Sequence, residues 1–185
     1  MNYVNPYEKC PVLETDLFLL RLVEESDAED LLMCYSDKES LKIFNSDNCP
    51  IDFYFESKDE LHKLIKFWLR EYSEGGYVRF SIVDKILNTA IGTIEIFAKK
   101  ETFNDYGKVG VLRLDLPSTY EKVEFLNNIF YLVLSHFGEL FKIDSIITKA
   151  NTFAMTRVEI LSNLDFYPLN NKYITSYDDY YIRKL

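Results

Sequence analysis

Hydrophobic and polar positions follow two periods along the chain, and their order predicts strands that alternate with helices. The apolar run Leu17–Val23 is too short for a helix and ends in acidic residues, so it predicts a first strand. Ser26 and Glu29 form a capping-box pattern, which predicts a helix from there to about Tyr35. Residues 36–55 keep no period and predict a loop with one short helical turn.

A second amphipathic helix and three strands follow. Ser57 and Glu60 repeat the capping box. The apolar residues after them recur at helical spacing: Leu61, Leu64, Ile65, Trp68 and Leu69. Gly75 and Gly76 end this helix. Strand-like runs then occupy Tyr77–Val83, Ala90–Ala98 and Val109–Leu116. Their short connections predict an antiparallel meander.

The last third of the chain returns to helices and short strands. Pro117 closes the third strand of the meander, and a long periodic segment predicts a helix over Phe125–Phe141. A strand over Ser145–Lys149, a helix over Phe153–Leu164 and a Tyr-rich pair of strands over Lys172–Arg183 complete the order. The sequence therefore predicts an α/β (α+β) fold, with a central mixed, mostly antiparallel twisted sheet flanked by about four helices.

Composition limits the classes of function. With 185 residues, 48% hydrophobic and 28% charged, residues 1–185 predict one globular domain. The net charge of -9 argues against nucleic acid or an anionic membrane as partner and favours an amine or other cation. Three cysteines without Cys-x-x-Cys spacing predict reduced thiols and no metal site. The N-terminus shows no targeting pattern and no apolar run reaches membrane-spanning length, so we expect a cytoplasmic protein.

Two sequence segments near the N-terminus resemble those of a known protein family. The segment Leu13–Leu22 is followed by Asp27-Ala28-Glu29-Asp30-Leu31. With the order of elements, it resembles the GNAT acetyltransferases, in particular the branch that acetylates protein N-termini, including those of ribosomal proteins. Members of that branch begin with Leu-x-Thr-x-Arg-Leu-x-Leu-Arg and then Asp-Ala-Glu. Here Arg21 is kept and Asp16 replaces the first arginine. Ile91–Ile94 is similar to the central strand phrase of the family.

The resemblance implies a GNAT-like fold and a transfer of acetyl from acetyl-CoA to a primary amine. In that family the coenzyme pyrophosphate lies on backbone amides at the start of the long central helix, in a glycine-bearing loop. Anchoring on Tyr120 places Glu121 at the Gln/Arg position of this loop, and no glycine follows it. The implied cofactor-binding residues are Leu114 and Leu116 on the third meander strand, then Glu121, Lys122, Val123, Glu124, Phe125 and Leu126, and finally Asn151.

Two features of this loop predict weak phosphate binding. Ser118 and Glu121 form a third capping box, in which the serine would occupy amides that should face phosphate. Glu121 and Glu124 also place negative charge beside the diphosphate position, against Lys122 alone. Repulsion at a few ångströms costs on the order of one to several kcal/mol. We therefore expect binding to be weakened by roughly tenfold or more.

The second motif of the family, an Asn followed by a helix ending in Leu-Gly-Phe, is also altered. Counting back from Phe166, Asp165 replaces the glycine and Ala154 replaces the asparagine. Asn151 lies three residues early, where it either serves the cofactor or is a loop or cap residue. The tyrosine that many members use as general acid would fall near Leu161, so that role has no candidate.

Acetyl transfer to an amine requires a deprotonated amine and a polarised thioester carbonyl held in line. Glu95 and Asp115 are the carboxylates best placed to act as base, directly or through water. For both, an ion pair or a surface charge is the alternative. Glu95 ranks first because Thr93, Glu95 and Phe97 share one face of their strand.

Three hypotheses for function remain open. The first is an acetyl-CoA-dependent N-acetyltransferase that holds its cofactor mainly through the third meander strand. The second is a catalytically inactive GNAT-fold protein that serves as a binding or interaction module. The third, within the first, is a basic acceptor such as a polyamine, an aminoglycoside or a lysine-rich N-terminus. Lys149 and Arg157 either meet a coenzyme phosphate or are surface charges. The tyrosines of the last strands indicate either an acceptor pocket or a homodimer surface.

Overall fold

A computed structural model of the protein describes residues 5–185. The strands are β1 Leu13–Glu14, β2 Phe18–Leu22, β3 Val78–Asp84, β4 Thr89–Phe103, β5 Gly107–Asp115, β6 Ser145–Lys149, β7 Tyr167–Pro168 and β8 Tyr180–Lys184. The helices are α1 Ala28–Tyr35, α2 Lys38–Leu41, α3 Lys58–Ser73, α4 Val123–Phe141 and α5 Met155–Asn163.

The described residues form one eight-stranded sheet in the order β1-β2-β3-β4-β5-β6-β8-β7. All neighbours pair antiparallel except β5 and β6. The predicted mixed, mostly antiparallel sheet is therefore confirmed, with α1 to α5 around it. The parallel pairing of β5 with β6 ends at Leu112 and Thr148, and β5 continues to Asp115 without that neighbour. The two strands separate at this point.

The two faces of the sheet are buried in different ways. On one face Ile94 and Leu112 pack with Phe130 and Phe137 of α4, all within one apolar cluster. The other face carries polar side chains of β3, β4 and β5 beneath α1 and α3. Strands covered on both faces keep few solvated positions, which explains why the central strands read as nearly continuous apolar runs.

Helix α3 forms as its sequence predicts. The Ser57 hydroxyl accepts the Glu60 N–H at 3.3 Å and donates to the Glu60 carboxylate at 2.9 Å. Leu61, Ile65 and Trp68 are buried on one side of the helix. The serine half of the predicted capping box and the apolar stripe therefore act together to fix where α3 begins and which side it buries.

The capping box predicted at Ser26 is wrong. Asp27 accepts the Glu24 N–H at 2.9 Å, and its carboxylate also pairs with Arg21 and accepts the Ser81 hydroxyl, each at 2.6 Å. Burial raises the pKa of Asp27, but these hydrogen bonds outweigh burial and lower it. Because Arg21 and Ser81 draw the aspartate inward, Asp27 rather than Ser26 fixes the entry into α1.

The predicted pair of Tyr-rich strands over Lys172–Arg183 is only half correct. β8 begins at Tyr180 and pairs with β6 and with the short β7. Before it the chain forms turns, in which the Asn171 side chain accepts the Tyr173 N–H and Asp179 has φ 62°. Asn and Asp tolerate such turn geometry, and this local chemistry outweighs the strand propensity of tyrosine.

None of the helices in residues 5–185 is long and apolar enough to cross a membrane. Within that same range no group of His, Cys, Asp and Glu is arranged to hold a metal ion. The N-terminal segment used for the targeting prediction starts with Met1–Val4, which lie outside the described residues.

Candidate functional site

Helix α4 begins with free main-chain amides. It starts at Val123, Lys122 is its N-cap in extended conformation, and no side chain within the described residues accepts a hydrogen bond there as a cap. Its first helical hydrogen bond runs from the Leu126 N–H to the Lys122 carbonyl at 2.9 Å. The amides of Val123, Glu124 and Phe125 and the positive end of the helix dipole are therefore available to an anion.

The prediction that Ser118 caps this helix is wrong. Ser118 lies in a separate 3-10 turn over Ser118–Tyr120, which ends before α4 begins. The Ser118 N–H donates to the Asp37 carboxylate at 2.7 Å, so the turn is held to the N-terminus of α2. Pro117 favours extended geometry where the turn starts, and Lys122 returns to it before α4. The serine hydroxyl is therefore separated from the first turn of α4.

Glu121 is neutralised within the protein. Its carboxylate pairs closely with the Arg157 guanidinium on α5, whose Nε lies 3.3 Å from the second carboxylate oxygen. The side chain of Arg157 is only 3% exposed. The repulsion expected from Glu121 toward a diphosphate is thus offset by Arg157. Glu124 is exposed and has no ion-pair partner among residues 5–185.

The same arginine occupies the groove between the separating strands. Arg157 donates from Nη1 to the carbonyl of Leu114 at 3.0 Å, beyond the last β5–β6 pair. Leu114 and Leu116 are buried. The backbone edge of β5 predicted to pair with pantetheine is therefore already engaged by a side chain. A diphosphate fits the start of α4, but a pantetheine arm fits β5 only if Arg157 moves.

The side chains of Asn151 and Lys149 contact the loop between α2 and α3. The Asn151 amide donates to the carbonyl of Lys42 at 2.9 Å, and the Lys149 ammonium lies 2.8 Å from Asp47. The Asn151 contact corresponds to the loop alternative, whereas Lys149 is not the expected surface charge, because its side chain is ion-paired and only 18% exposed. In this arrangement neither side chain is directed to the start of α4.

The two candidate bases lie in a buried network that we call the charge quartet: Arg79, Glu95, Arg113 and Asp115. Glu95 pairs closely with Arg79 and lies 3.2 Å from the Arg113 guanidinium. Asp115 lies 3.1 Å from Arg79 and accepts the Tyr35 hydroxyl at 2.9 Å. Burial lowers the pKa of Arg79, but the surrounding groups, Glu95 first and then Tyr35 and Asp115, together outweigh burial and raise it, so the guanidinium stays charged. Two cations thus balance two anions.

Strand register brings the quartet together. Arg79 lies opposite Glu95 on β3 and β4, and Glu95 lies opposite Arg113 on β4 and β5. Opposite charges at directly facing positions stabilise a sheet. The sequence identified the carboxylates but missed Arg79, Arg113 and Tyr35. The alternation of Arg79 with apolar neighbours in a meander strand was the signal that could have revealed the first of these.

A cavity of about 530 Å³ opens on this face of the sheet. Arg79, Glu95 and Arg113 of the charge quartet form its polar side. Its aromatic lining consists of Phe53, Phe55, Phe67, Trp68 and Tyr77. Its volume lies in the range of small-molecule sites. The cavity and the groove at Leu114 are thus on either side of the end of β5.

A mixed sheet with a parallel β5–β6 pair that separates before a long central helix defines the fold of the GNAT acetyltransferases. The fold resemblance carried by the sequence is therefore confirmed. No protein-family model matches the sequence.

Three similar proteins are a curated relative and two solved acetyltransferases. The protein is 30% identical over 88 residues to the "Uncharacterized N-acetyltransferase YoaA" of Bacillus subtilis, a match that spans 48% of this chain and 46% of YoaA. RimL, a ribosomal L7/L12 alpha-N-protein acetyltransferase solved with coenzyme A, superposes with a TM-score of 0.72 at 15% identity, covering 95% of this chain and 98% of RimL. The Salmonella typhimurium acetyltransferase that modifies the N-terminal serine of L7/L12 gives 0.69 at 14% identity, covering 95% and 99%.

Proposed function

We propose that the protein is an acetyl-CoA-dependent N-acetyltransferase that acts on a primary amine. The observation that carries the proposal is the uncapped start of α4, which presents main-chain amides and the positive helix end beside the separated strands β5 and β6. The cavity on the opposite side of β5 supplies room for an acceptor. The N-acetyltransferase name of YoaA and the coenzyme A complex of RimL support this assignment.

In this proposal each part of the site has a separate task. The amides of Val123, Glu124 and Phe125 hold the diphosphate, and the backbone of Leu114 and Leu116 aligns the pantetheine arm once Arg157 has moved away. When bound, the cofactor supplies the thioester carbonyl that the amine attacks.

Glu95 and Asp115 remain the proposed bases. Both are already engaged by guanidinium groups, so we expect the amine proton to leave through a water molecule that borders the charge quartet. Burial, followed by the nearby charge of Asp115, raises the pKa of Tyr35, which keeps its hydroxyl protonated as a hydrogen-bond donor to Asp115. An amine beside Arg79 and Arg113 is also favoured in its neutral, nucleophilic form.

A second candidate function is a binding module without transferase activity. The closure of the groove by Arg157 and Glu121 favours it, because a residue pair of this chain then occupies the cofactor position. A peptide amine as acceptor stays a prediction under the transferase function. A homodimer and a cytoplasmic location stay predictions under either function.

Calorimetry with acetyl-CoA and with coenzyme A tests the proposal. We expect saturable binding that Glu124→Gln strengthens by roughly two- to tenfold, because it removes a negative charge from the first turn of α4. Glu139→Gln is the matched control, since Glu139 is exposed near the opposite end of the same helix. No heat at millimolar cofactor would leave the binding-module alternative.

A further inference from the structure

The cavity beside the charge quartet has an aromatic wall that reaches the surface. Phe67 on α3 is 43% exposed and Ile51 in the preceding loop is 47% exposed, and both line the cavity. Trp68 and Phe53 continue the wall inward and are buried. Exposed apolar side chains that continue into a cavity indicate a ligand with an apolar body. Aromatic rings on several sides favour a flat, aromatic one.

The polar side of the cavity offers two hydrogen-bond donors without acceptors. The Nε–H groups of Arg79 and Arg113 are buried and have no partner within the described residues, although the other guanidinium nitrogens of both are engaged. A buried donor left unpaired destabilises the protein. Both arginines line the cavity, so their guanidinium groups favour an occupant with a carbonyl or carboxylate oxygen on this side.

The charges in the lining disfavour a polycation. The lining contains three cationic side chains, Arg79, Arg113 and Lys63, and two anionic ones, Glu95 and Glu60. Glu95 is already held by both arginines, and Glu60 accepts the Ser57 hydroxyl. The net charge of -9 therefore describes the whole protein but not this cavity. A polyamine would bring its second ammonium group toward the like charges of the Arg79 and Arg113 guanidiniums.

We propose that this cavity selects an aromatic amino acid, either free or as the N-terminal residue of a peptide. The ring packs on the wall formed by Phe53, Phe67 and Trp68. The carbonyl or carboxyl oxygen accepts from Arg79 and Arg113. This inference rests on the proposed function for the role of the amine, but the binding itself needs no cofactor.

Trp68 provides a direct readout, because it is the one tryptophan of the chain and it lines the cavity. Titration with L-phenylalaninamide should change Trp68 fluorescence in a saturable manner. L-lysinamide and spermidine at equal concentration should not. Comparing free L-phenylalanine with the tripeptide Phe-Ala-Ala separates the two sources: tighter binding of the peptide supports an N-terminal residue, and tighter binding of the amino acid supports a free metabolite.

Two variants complete the test. Phe67→Ala, at a partly exposed position that should tolerate it, is expected to raise the dissociation constant of phenylalaninamide at least fivefold. Tyr131→Ala is the control, since Tyr131 is 63% exposed on α4 and does not line the cavity. Equal binding of lysinamide and phenylalaninamide, or an unchanged constant in Phe67→Ala, would overturn the inference. The fluorescence titrations and the variant dissociation constants are measured without acetyl-CoA. The proposed ligand of the cavity and the proposed transferase function can therefore fail separately.

Discussion

The guanidinium of Arg157 donates a 3.0 Å hydrogen bond to the main-chain carbonyl of Leu114. It thereby joins α5 to the part of β5 that has lost its parallel neighbour, while its other nitrogens hold Glu121. One buried side chain thus closes the groove and neutralises the carboxylate next to the start of α4.

Removing this arginine alone should destabilise the protein. Arg157→Ala leaves Glu121 buried without its cation, and the expected loss is about 3–5 kcal/mol in the free energy of unfolding. The double variant Arg157→Met with Glu121→Gln removes both charges and should lose less. Urea denaturation of the two variants and the unaltered protein measures the difference. Equal losses in both variants would show that the unpaired charge of Glu121 is not the cause of the lower stability.

The same double variant tests whether the groove is closed by the pair. If Arg157 must move for a pantetheine arm to reach Leu114, the variant should bind coenzyme A at least threefold more tightly. Calorimetry at one salt concentration makes the comparison. Unchanged or weaker binding would mean that Arg157 does not obstruct the cofactor.

The charge quartet depends on Arg79, which contacts both carboxylates. Arg79→Met should lower the free energy of unfolding by about 3–5 kcal/mol, because Glu95 and Asp115 remain buried with one cation fewer. Lys42→Met is the control, since Lys42 pairs with Glu39 at the surface and such pairs contribute about 0–1 kcal/mol. Similar effects of the two substitutions would argue against a structural role for the quartet.

Acidification should loosen the contact between α2 and the turn before α4. Burial raises the pKa of Asp37, but hydrogen bonds from Ser118, Ser40 and Glu39 outweigh it and lower the pKa to about 2. Since the folded value lies below the ordinary value of 3.8, the stabilisation is complete above that value and disappears as the pH falls toward 2.

The stability of Asp37→Asn should therefore depend less on pH than that of the unaltered protein between about pH 5 and pH 2. Urea denaturation at several pH values in this interval measures how the free energy of unfolding of each protein changes with pH. Asp178→Asn is a useful comparison, because Asp178 forms its ion pair with Lys172 at the surface, far along the chain from α4. Parallel curves for the unaltered protein and Asp37→Asn would refute the assignment.

Gly92 is required by close packing of backbone. A Cβ at this position would lie 2.3 Å from the Asp115 carbonyl oxygen, so Gly92→Ala must displace the end of β5. We expect a loss of more than about 2 kcal/mol, in line with overpacked core sites. Gly138→Ala is the matched control: it meets only the flexible side chain of Leu185 as its nearest contact, at 3.2 Å, and alanine favours a helix. Comparable losses in both variants would contradict this account.

Local sequence rules predicted the elements well where the deciding contacts are near in the chain. The Ser57 N-cap and the apolar side of α3 are examples, and β6 has the predicted bounds Ser145–Lys149. The short connections of the meander fixed strand pairing in the same way. Such features depend on residues a few positions apart.

The candidate site was harder to predict because its contacts are distant in sequence. Ser118 matched a capping box, but Asp37 holds it instead. The sequence predicted an unpaired charge at Glu121, but the structure pairs it with Arg157, which lies 36 residues later in the chain. Glu95 was predicted to act as a base, and only strand register shows the two arginines that engage it. Pairings of this kind require the three-dimensional fold.

The end of β5 serves two compartments at once. The side chains of Arg113 and Asp115 take part in the charge quartet next to the cavity, while the carbonyl of Leu114 between them faces the groove. A small shift of residues 113–115 would move the side chains of Arg113 and Asp115 beside the cavity and the Leu114 carbonyl at the groove. Occupancy of one compartment should then alter affinity in the other, and by reciprocity the factor must be the same in both directions. The protein would thus bind its two ligands cooperatively or antagonistically rather than independently.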